Sequence, residues 1–421
     1  MRKTLAYAAL GTAAVITLAG CTAQGAPEST DGQKIEIDFW HGYTEADGKV
    51  LDSLVEEFNA SQDDIEITSA TKPWGTILDT VLPALTSKTG PQLLALPPEN
   101  IPVYASQGAL QPLDDWYNAD DSGAAVLNEQ AVATGVVSGE RFGAPLSFTP
   151  LAMFYNKALF NSAGVEVPTT WEEWVTAAKA LTVDEDGDGT PEQYGLALAD
   201  HATVGNGVWV SLFKSGGGDV VTTDGEAVID SPENAATLSF WSDAVQDDKI
   251  SPAGLSGVDT DGLFSAGKAA MTLAGPWMAS VSEGAGIDYG IAALPAGPAG
   301  IHASALAVDL TVTSQASTEE RDAIGTFLTW FYQKDNMVTW SLASGWPPLT
   351  TEVAAADVSE NAVVAALTEQ SQYGVALLPG VIPSTDVLAE LDTATQKALA
   401  GGNPAELLTT AQSAMSAILA E

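Results

Sequence analysis

The stretch KIEIDFW at 34–40 alternates Ile35, Ile37 and Phe39 with polar positions, the period of two expected of a half-buried strand. The period then lengthens. ADGKVLDSLVEEFNAS at 46–61 sets Val50, Leu51, Leu54, Val55 and Phe58 on one face of a helix. DIEIT at 64–68 predicts a second strand, and Trp74 to Leu85 a second helix with Pro83 near its end. PQLLALP at 91–97 is a continuous apolar run suited to a buried parallel strand. Strand, helix, strand, helix, strand at this spacing predicts a βαβ-type α/β domain.

The alternation resumes beyond the middle of the chain. LAMFYNKALFNSAGVEVPTTWEEWVTAAKALT at 151–182 predicts a strand, a short helix, a proline-containing connection and an amphipathic helix. QYGLALA, AAMTLAG, YGIAAL and SALAVDLTVT are further strand candidates, and helices are expected at 317–333 and 405–421. The pattern shows no repeat period, and two α/β lobes account for it most economically.

The N-terminus follows different rules. Arg2 and Lys3 precede an uncharged, mostly apolar run from Thr4 to Leu18, then the small residues Ala19 and Gly20. Residues 1–20 therefore match a secretory signal peptide, too short to be a spanning helix. LAGC at 18–21 contains the single cysteine and resembles the bacterial lipobox, which implies cleavage before Cys21 and diacylation of its thiol. Two or three acyl chains anchor a protein stably at a membrane. Residues 21–33 are small, polar and aperiodic, as in a flexible tether.

Charge narrows the ligand class. Lys and Arg total 15 against 55 Asp and Glu, a formal net charge of −40. Such a field repels nucleic acid and anionic lipid surfaces. Beyond Arg2, the arginines are Arg141 and Arg321. Tight anion sites use bidentate arginine clamps, so the shortage argues for a neutral or cationic ligand.

Several stretches in consistent order now carry a resemblance: IDFWHG at 37–42, PLSFTPLAMFYNKALFNSAGVEVPTTWEEW at 145–174, GKAAMTLAGPW at 267–277, YGIAALPAGPAG at 289–300 and SGWPPL at 344–349. Together with the lipobox, the chain resembles the extracellular solute-binding proteins of bacterial ABC importers, in the maltose-binding-like carbohydrate branch. The resemblance implies two doubly wound α/β lobes joined by a three-segment hinge, with ligand held between them. Its crossovers are expected near Phe148 and Thr149, near Ala303 to Leu306, and near Gln333 to Asn336. The expected first lobe is 34–147 with 305–335, and the second 148–304 with 336–421. A monomer outside the cytoplasm, tethered only by lipid, would capture a sugar and deliver it to permease subunits without covalent chemistry and without a required cofactor. A glycerol phosphodiester or peptide ligand, or a surface glycoside hydrolase, are the competing assignments.

Sugars present faces of C–H bonds between rings of hydroxyls, so a cleft for them needs flat aromatics and planar polar groups. Ligands of open α/β sheets bind beyond the carboxyl ends of strands. Trp40, Trp74, Trp277 and Trp346 stand at such places and are the first candidates, with Trp209 after them. Trp171, Trp174, Trp241, Trp330 and Trp340 lie inside helical patterns, and these and Trp116 are expected to pack. Polar candidates on the same loops are His41, Tyr43, Glu45, Glu99, Asn100, Asn206 and His302.

DEDGDGTPEQYG at 184–195 sets Asp184, Asp186 and Asp188 at positions one, three and five of an EF-hand-type loop, with Thr190 and Glu192 at seven and nine. Gly195 stands where the bidentate glutamate should be, so the loop suits either a structural calcium ion or a solvated turn. Ser265 to Lys268 and Lys88 to Gly90 echo penicillin-binding-protein motifs in reversed order, without a Ser-Asp-Asn, and match by chance. Metalloprotease, nucleophile-elbow, Walker and Rossmann motifs are missing from the sequence.

Overall fold

A computed structural model describes residues 34–43, 46–200, 205–222, 225–378, 380–381 and 384–420. The signal peptide, Cys21, the tether and Glu45 lie outside the described residues, as does the side chain of Asn206. Among the described residues no helix is long and apolar enough to cross a membrane.

The strand Ile35–His41 buries Ile37, Phe39 and His41 on one face and turns Glu36 and Asp38 outward. It pairs in parallel with Ile65–Thr71 on one side and with Leu93–Leu96 on the other. Leu93–Leu96 is buried along its whole length, as its unbroken apolar run requires. The long strand Ala303–Thr313 runs antiparallel to it and also pairs with Gly143–Pro150. The helix Ala46–Ser61 covers one sheet face, where Leu51, Leu54, Val55 and Phe58 meet Phe327 and Phe331 of Thr318–Phe331. Ser317 and Glu320 close a capping box that starts this second helix. Ile77, Val81 and Leu85 of Trp74–Ser87 cover the other face.

The second lobe centres on Ala152–Asn156, paired antiparallel with Met271–Ala274 and Tyr289–Ala292. The segment expected as a strand at 193–199 joins this lobe through single bridges at Tyr194 and Ala197. Helices Trp171–Leu181, Pro232–Gln246, Ser384–Leu399 and Pro404–Ile418 bury one large core. Trp174 and Trp241 meet edge to face at 4.9 Å within it, so these helical tryptophans pack as expected.

Three chain segments cross between the lobes side by side. Pro150 and Thr149 pair with Ala305 and Leu306, while Ala303 and Ser304 pair with Gly374 and Val375. The third crossing does not lie at Gln333 to Asn336, where the resemblance places it. Gln333 does interrupt two helices, but Lys334–Ser344 folds straight back against Ala46–Ser61. Met337, Trp340, Leu349 and Val358 are buried in the first lobe's core. The helix Ala362–Gln370 then bridges, with Val364 in that core and Leu367 against Phe154 and Met278 of the second lobe. The stretch 336–361 therefore belongs to the first lobe, and the third crossing lies at Gly374–Val375. A helix break looks alike in sequence whether the chain turns back or crosses over.

Asp309 sits at the register shift of Ala303–Thr313, fully buried, and accepts a hydrogen bond from Thr134 Oγ1 at 2.9 Å. Burial pushes its carboxyl up to about 7, against the Thr134 bond and with added repulsion from Glu99. The unfolded chain holds fewer protons at this group than the native one between about pH 4 and pH 7, so its contribution to stability falls as pH rises through that window. Asp309→Asn is expected to raise the melting temperature at pH 8 and to leave it nearly unchanged near pH 4, at the lower edge of that window. Thermal denaturation of both proteins at the two pH values checks this, and equal shifts at both would exclude it.

Candidate functional site

Between the lobes lies a cavity of about 1090 Å³, floored by Ser304 to Val308 of the shared strand. Tyr43, Trp74, Glu99, Thr134 and Trp346 line it from the first lobe, and Trp277, Glu283 and Asp392 from the second. The lobes also touch beside it, where Ser384 Oγ donates to the Glu99 carbonyl at 2.7 Å.

The aromatic groups are held by glycines and by one another. A methyl group at Gly42 would overlap the Trp74 ring, and one at Gly275 would overlap the Trp277 ring. Each indole therefore lies flat on bare backbone, once in each lobe. Tyr43 stands in the middle of the first-lobe cluster, edge-on to Trp74 at 5.6 Å, to Trp340 at 6.0 Å and to Trp346 at 6.2 Å. Its hydroxyl donates to Ser147 Oγ at 2.6 Å, and burial holds the phenol far above its usual range. The indole N–H groups are also bound. Trp277 Nε1 donates to Asp261 Oδ2 at 3.0 Å and Trp346 Nε1 to Asp47 Oδ2 at 3.4 Å.

The ionisable lining has one sign. Asp47, Glu99, Glu283 and Asp392 face the cavity, and among the described residues no Lys, Arg or His does. Burial raises the Glu99 carboxyl above the usual carboxylate range, opposed in part by a backbone amide. Such a surface offers acceptors for hydroxyl donors and ring faces for C–H bonds, and it has nothing to neutralise a phosphate.

Five candidates from the sequence meet in the cavity: Tyr43, Trp74, Glu99, Trp277 and Trp346. Others do not. His41 is fully buried, with Nε2 at 2.9 Å from Ser69 Oγ and 3.2 Å from Asp52 Oδ1, and burial lowers its pKa. Trp40 points to the opposite sheet face, where the Lys72 ammonium lies 4.3 Å from its ring centroid. Trp209 is a core residue whose Nε1 donates to the Ala199 carbonyl at 3.2 Å. Asn100 stands at a helix start without a side-chain cap, outside the lining. His302 is tied by its backbone to Ser215, also outside the lining. Asp47, Thr134, Glu283 and Asp392 were missed because they lie within helices, where a polar residue looks like ordinary solvated surface. The Asp47–Trp346 pair links positions 299 residues apart, which no local pattern signals.

In the acidic loop, Asp184, Asp186 and Asp188 bring carboxylate oxygens within 4.8 Å of one another, all exposed. Asp184 accepts the amides of Gly187 and Gly189, and Asp188 that of Thr190. Glu192 accepts from the Glu185 amide, and Gly187 and Gly189 take positive φ to close the turn.

Comparison with known proteins agrees with this architecture. The family described as bacterial extracellular solute-binding protein matches residues 42–338. The galactooligosaccharide-binding protein of Bacillus subtilis (strain 168) is 25% identical over 309 residues, 70% of this chain and 68% of that protein. The maltotriose-binding protein of Pyrococcus abyssi (strain GE5 / Orsay) is 25% identical over 333 residues, 76% of this chain and 67% of that one. The crystal structure of the cyclic alpha-maltosyl-1,6-maltose binding protein from Arthrobacter globiformis superposes with a TM-score of 0.82 at 26% identity, covering 92% of this chain and 99% of that one. A sequence match over most of the chain, with two lobes hinged on three paired strands around a cavity, has one consequence: the chain belongs to the bacterial extracellular solute-binding proteins.

Proposed function

We propose that this protein is the capture component of an ABC importer, which grips a neutral carbohydrate, an oligosaccharide rather than a single sugar, and hands it unchanged to a membrane permease. The observation that carries this is the interlobe cavity, with indoles from both lobes and, among the described residues, no cationic side chain in its lining. Its volume of about 1090 Å³ lies just above the range of about 300–1000 Å³ usual for small-molecule sites, which favours several sugar rings. The ligands named for the three proteins compared above, galactooligosaccharide, maltotriose and cyclic alpha-maltosyl-1,6-maltose, belong to the same class. Capture works as a hinge motion in the three paired strands, biased because ligand binds the closed form better. LAGC at 18–21 supports secretion and lipid anchoring through Cys21 at the outer face of the cell membrane. The loop at 184–192 is assigned a structural calcium ion through Asp184, Asp186, Asp188, Glu192 and the Thr190 carbonyl.

A thermal-shift screen tests the ligand class, since anything that binds the folded form raises its melting point. Neutral oligosaccharides are expected to stabilise the protein, sugar phosphates are not, and prolonged incubation should return the oligosaccharide intact. Shorter products would mean a hydrolase. By calorimetry Trp277→Ala is expected to weaken binding by about tenfold, about 1.4 kcal/mol, with little change in melting point. Trp209→Ala should do the reverse, costing about 3–5 kcal/mol of stability through a core cavity. Cys21→Ser is expected to move the protein from the membrane fraction to the soluble fraction. Millimolar calcium should raise the melting point of the wild type and not of Asp186→Ala, and equal responses would remove the ion from the loop.

A further inference from the structure

Asp261 lies on the short helix Gly257–Ser265, half-buried and outside the cavity lining. It nonetheless touches the site at one point, accepting the indole N–H of Trp277 at 3.0 Å. Trp277 opens the helix Trp277–Ala285 after Pro276, with no side-chain cap, and presents a half-buried ring to the cavity. Gly275 lets the ring lie against backbone, but a flat floor does not stop it sliding or turning. A directional bond at the ring edge does, and it leaves the ring face free. A hydrogen bond to a carboxylate is roughly twice as strong as one to a neutral acceptor. The first lobe repeats the device with Asp47 and Trp346, although Asp47 also faces the cavity and can meet ligand directly.

We propose that Asp261 is a positioning residue for ligand capture, which acts through Trp277 by holding its indole N–H and so fixing the ring face that the ligand meets. This rests on the sugar-binding assignment of the cavity. Burial pushes the Asp261 carboxyl up to about 6, with the indole bond pulling the other way. The charged and titratable groups on the elements packed around it are Asp259 and Lys268 beside its own helix, and Glu283 and Tyr289 on the side of Trp277. Glu369 follows Leu367 across the Phe264 contact. Protonation below about pH 6 replaces the carboxylate by a weaker, neutral acceptor and loosens the ring.

The test uses the purified protein and maltotriose as probe, with calorimetry near pH 7.5 and near pH 5. Wild-type affinity is expected to fall about two- to threefold at the lower pH. Asp261→Asn, a neutral acceptor of the same shape, should match the acid-form affinity at both values, and Asp261→Ala should lose about fivefold or more. In a Trp277→Phe background, where no N–H remains to hold, Asp261→Asn should have no effect. An equal effect of Asp261→Asn in both backgrounds overturns the proposal. A ligand-free arm keeps it testable if maltotriose does not bind, an outcome that would count against the sugar assignment alone. The fluorescence contribution of Trp277, obtained by difference from Trp277→Phe, should titrate near pH 6 in wild type and stay flat in Asp261→Asn. The same titration in both proteins also overturns it.

Discussion

The eleven residues Ala303–Thr313 form the one strand on which both lobes depend. Its first residue is buried in the second lobe's core, against which Leu306 also packs, while Ala305, Val308, Leu310 and Val312 are buried in the first. Along its length it pairs with four other strands: Gly374–Val375, Gly143–Pro150, Leu93–Leu96 and Leu110–Gln111. Two of its buried hydroxyls bond the neighbouring chain, Thr311 Oγ1 donating to the Leu94 carbonyl and Thr313 Oγ1 to that of Pro91. Such a strand cannot slip by one residue without sending every side chain to the opposite face of the sheet. The register that joins the lobes is thus the register that sets the cavity floor.

A binding surface has to expose flat apolar groups without letting them collapse onto each other. Here the solution is backbone against ring. Gly42 and Gly275 give the indoles of Trp74 and Trp277 a bare surface to rest on, and Tyr43 wedges edge-on between Trp74 and Trp346. Edge-to-face packing is favoured by the ring quadrupole, so the first-lobe cluster is held by the same faces and edges that a sugar would meet. The acidic groups around the rings fit the charge of the whole chain, −40, and shape the cavity for hydroxyl donors.

The candidate site also shows where local pattern misleads. Trp40 and His41 are neighbours on one strand and face opposite sides, and neither side is the cavity. Proximity to a strand end was the right signal for Tyr43, two residues later, because the chain has by then left the sheet. Trp209 follows a glycine-containing loop in sequence, yet in Gly205–Gly216 it turns inward with Val208, Val210 and Phe213. A helix that is apolar nearly all round is buried nearly all round, and its tryptophan goes with it.

The sequence alone determined the elements, because period two and period 3.6 are local properties of the chain, and it determined the two α/β lobes. It also selected Trp74 and Trp277, each a large aromatic just past a strand end, and Trp346, in the loop that follows the helix Lys334–Ser344. Tertiary structure decided the third crossing, the lobe to which 336–361 belongs, and the union of Asp47 with Trp346 across most of the chain. It also decided that Asp309 is buried in the core and that Asp392 and Thr134 reach the cavity. These depend on which helix face meets which neighbour, and that is set by packing among segments far apart in sequence.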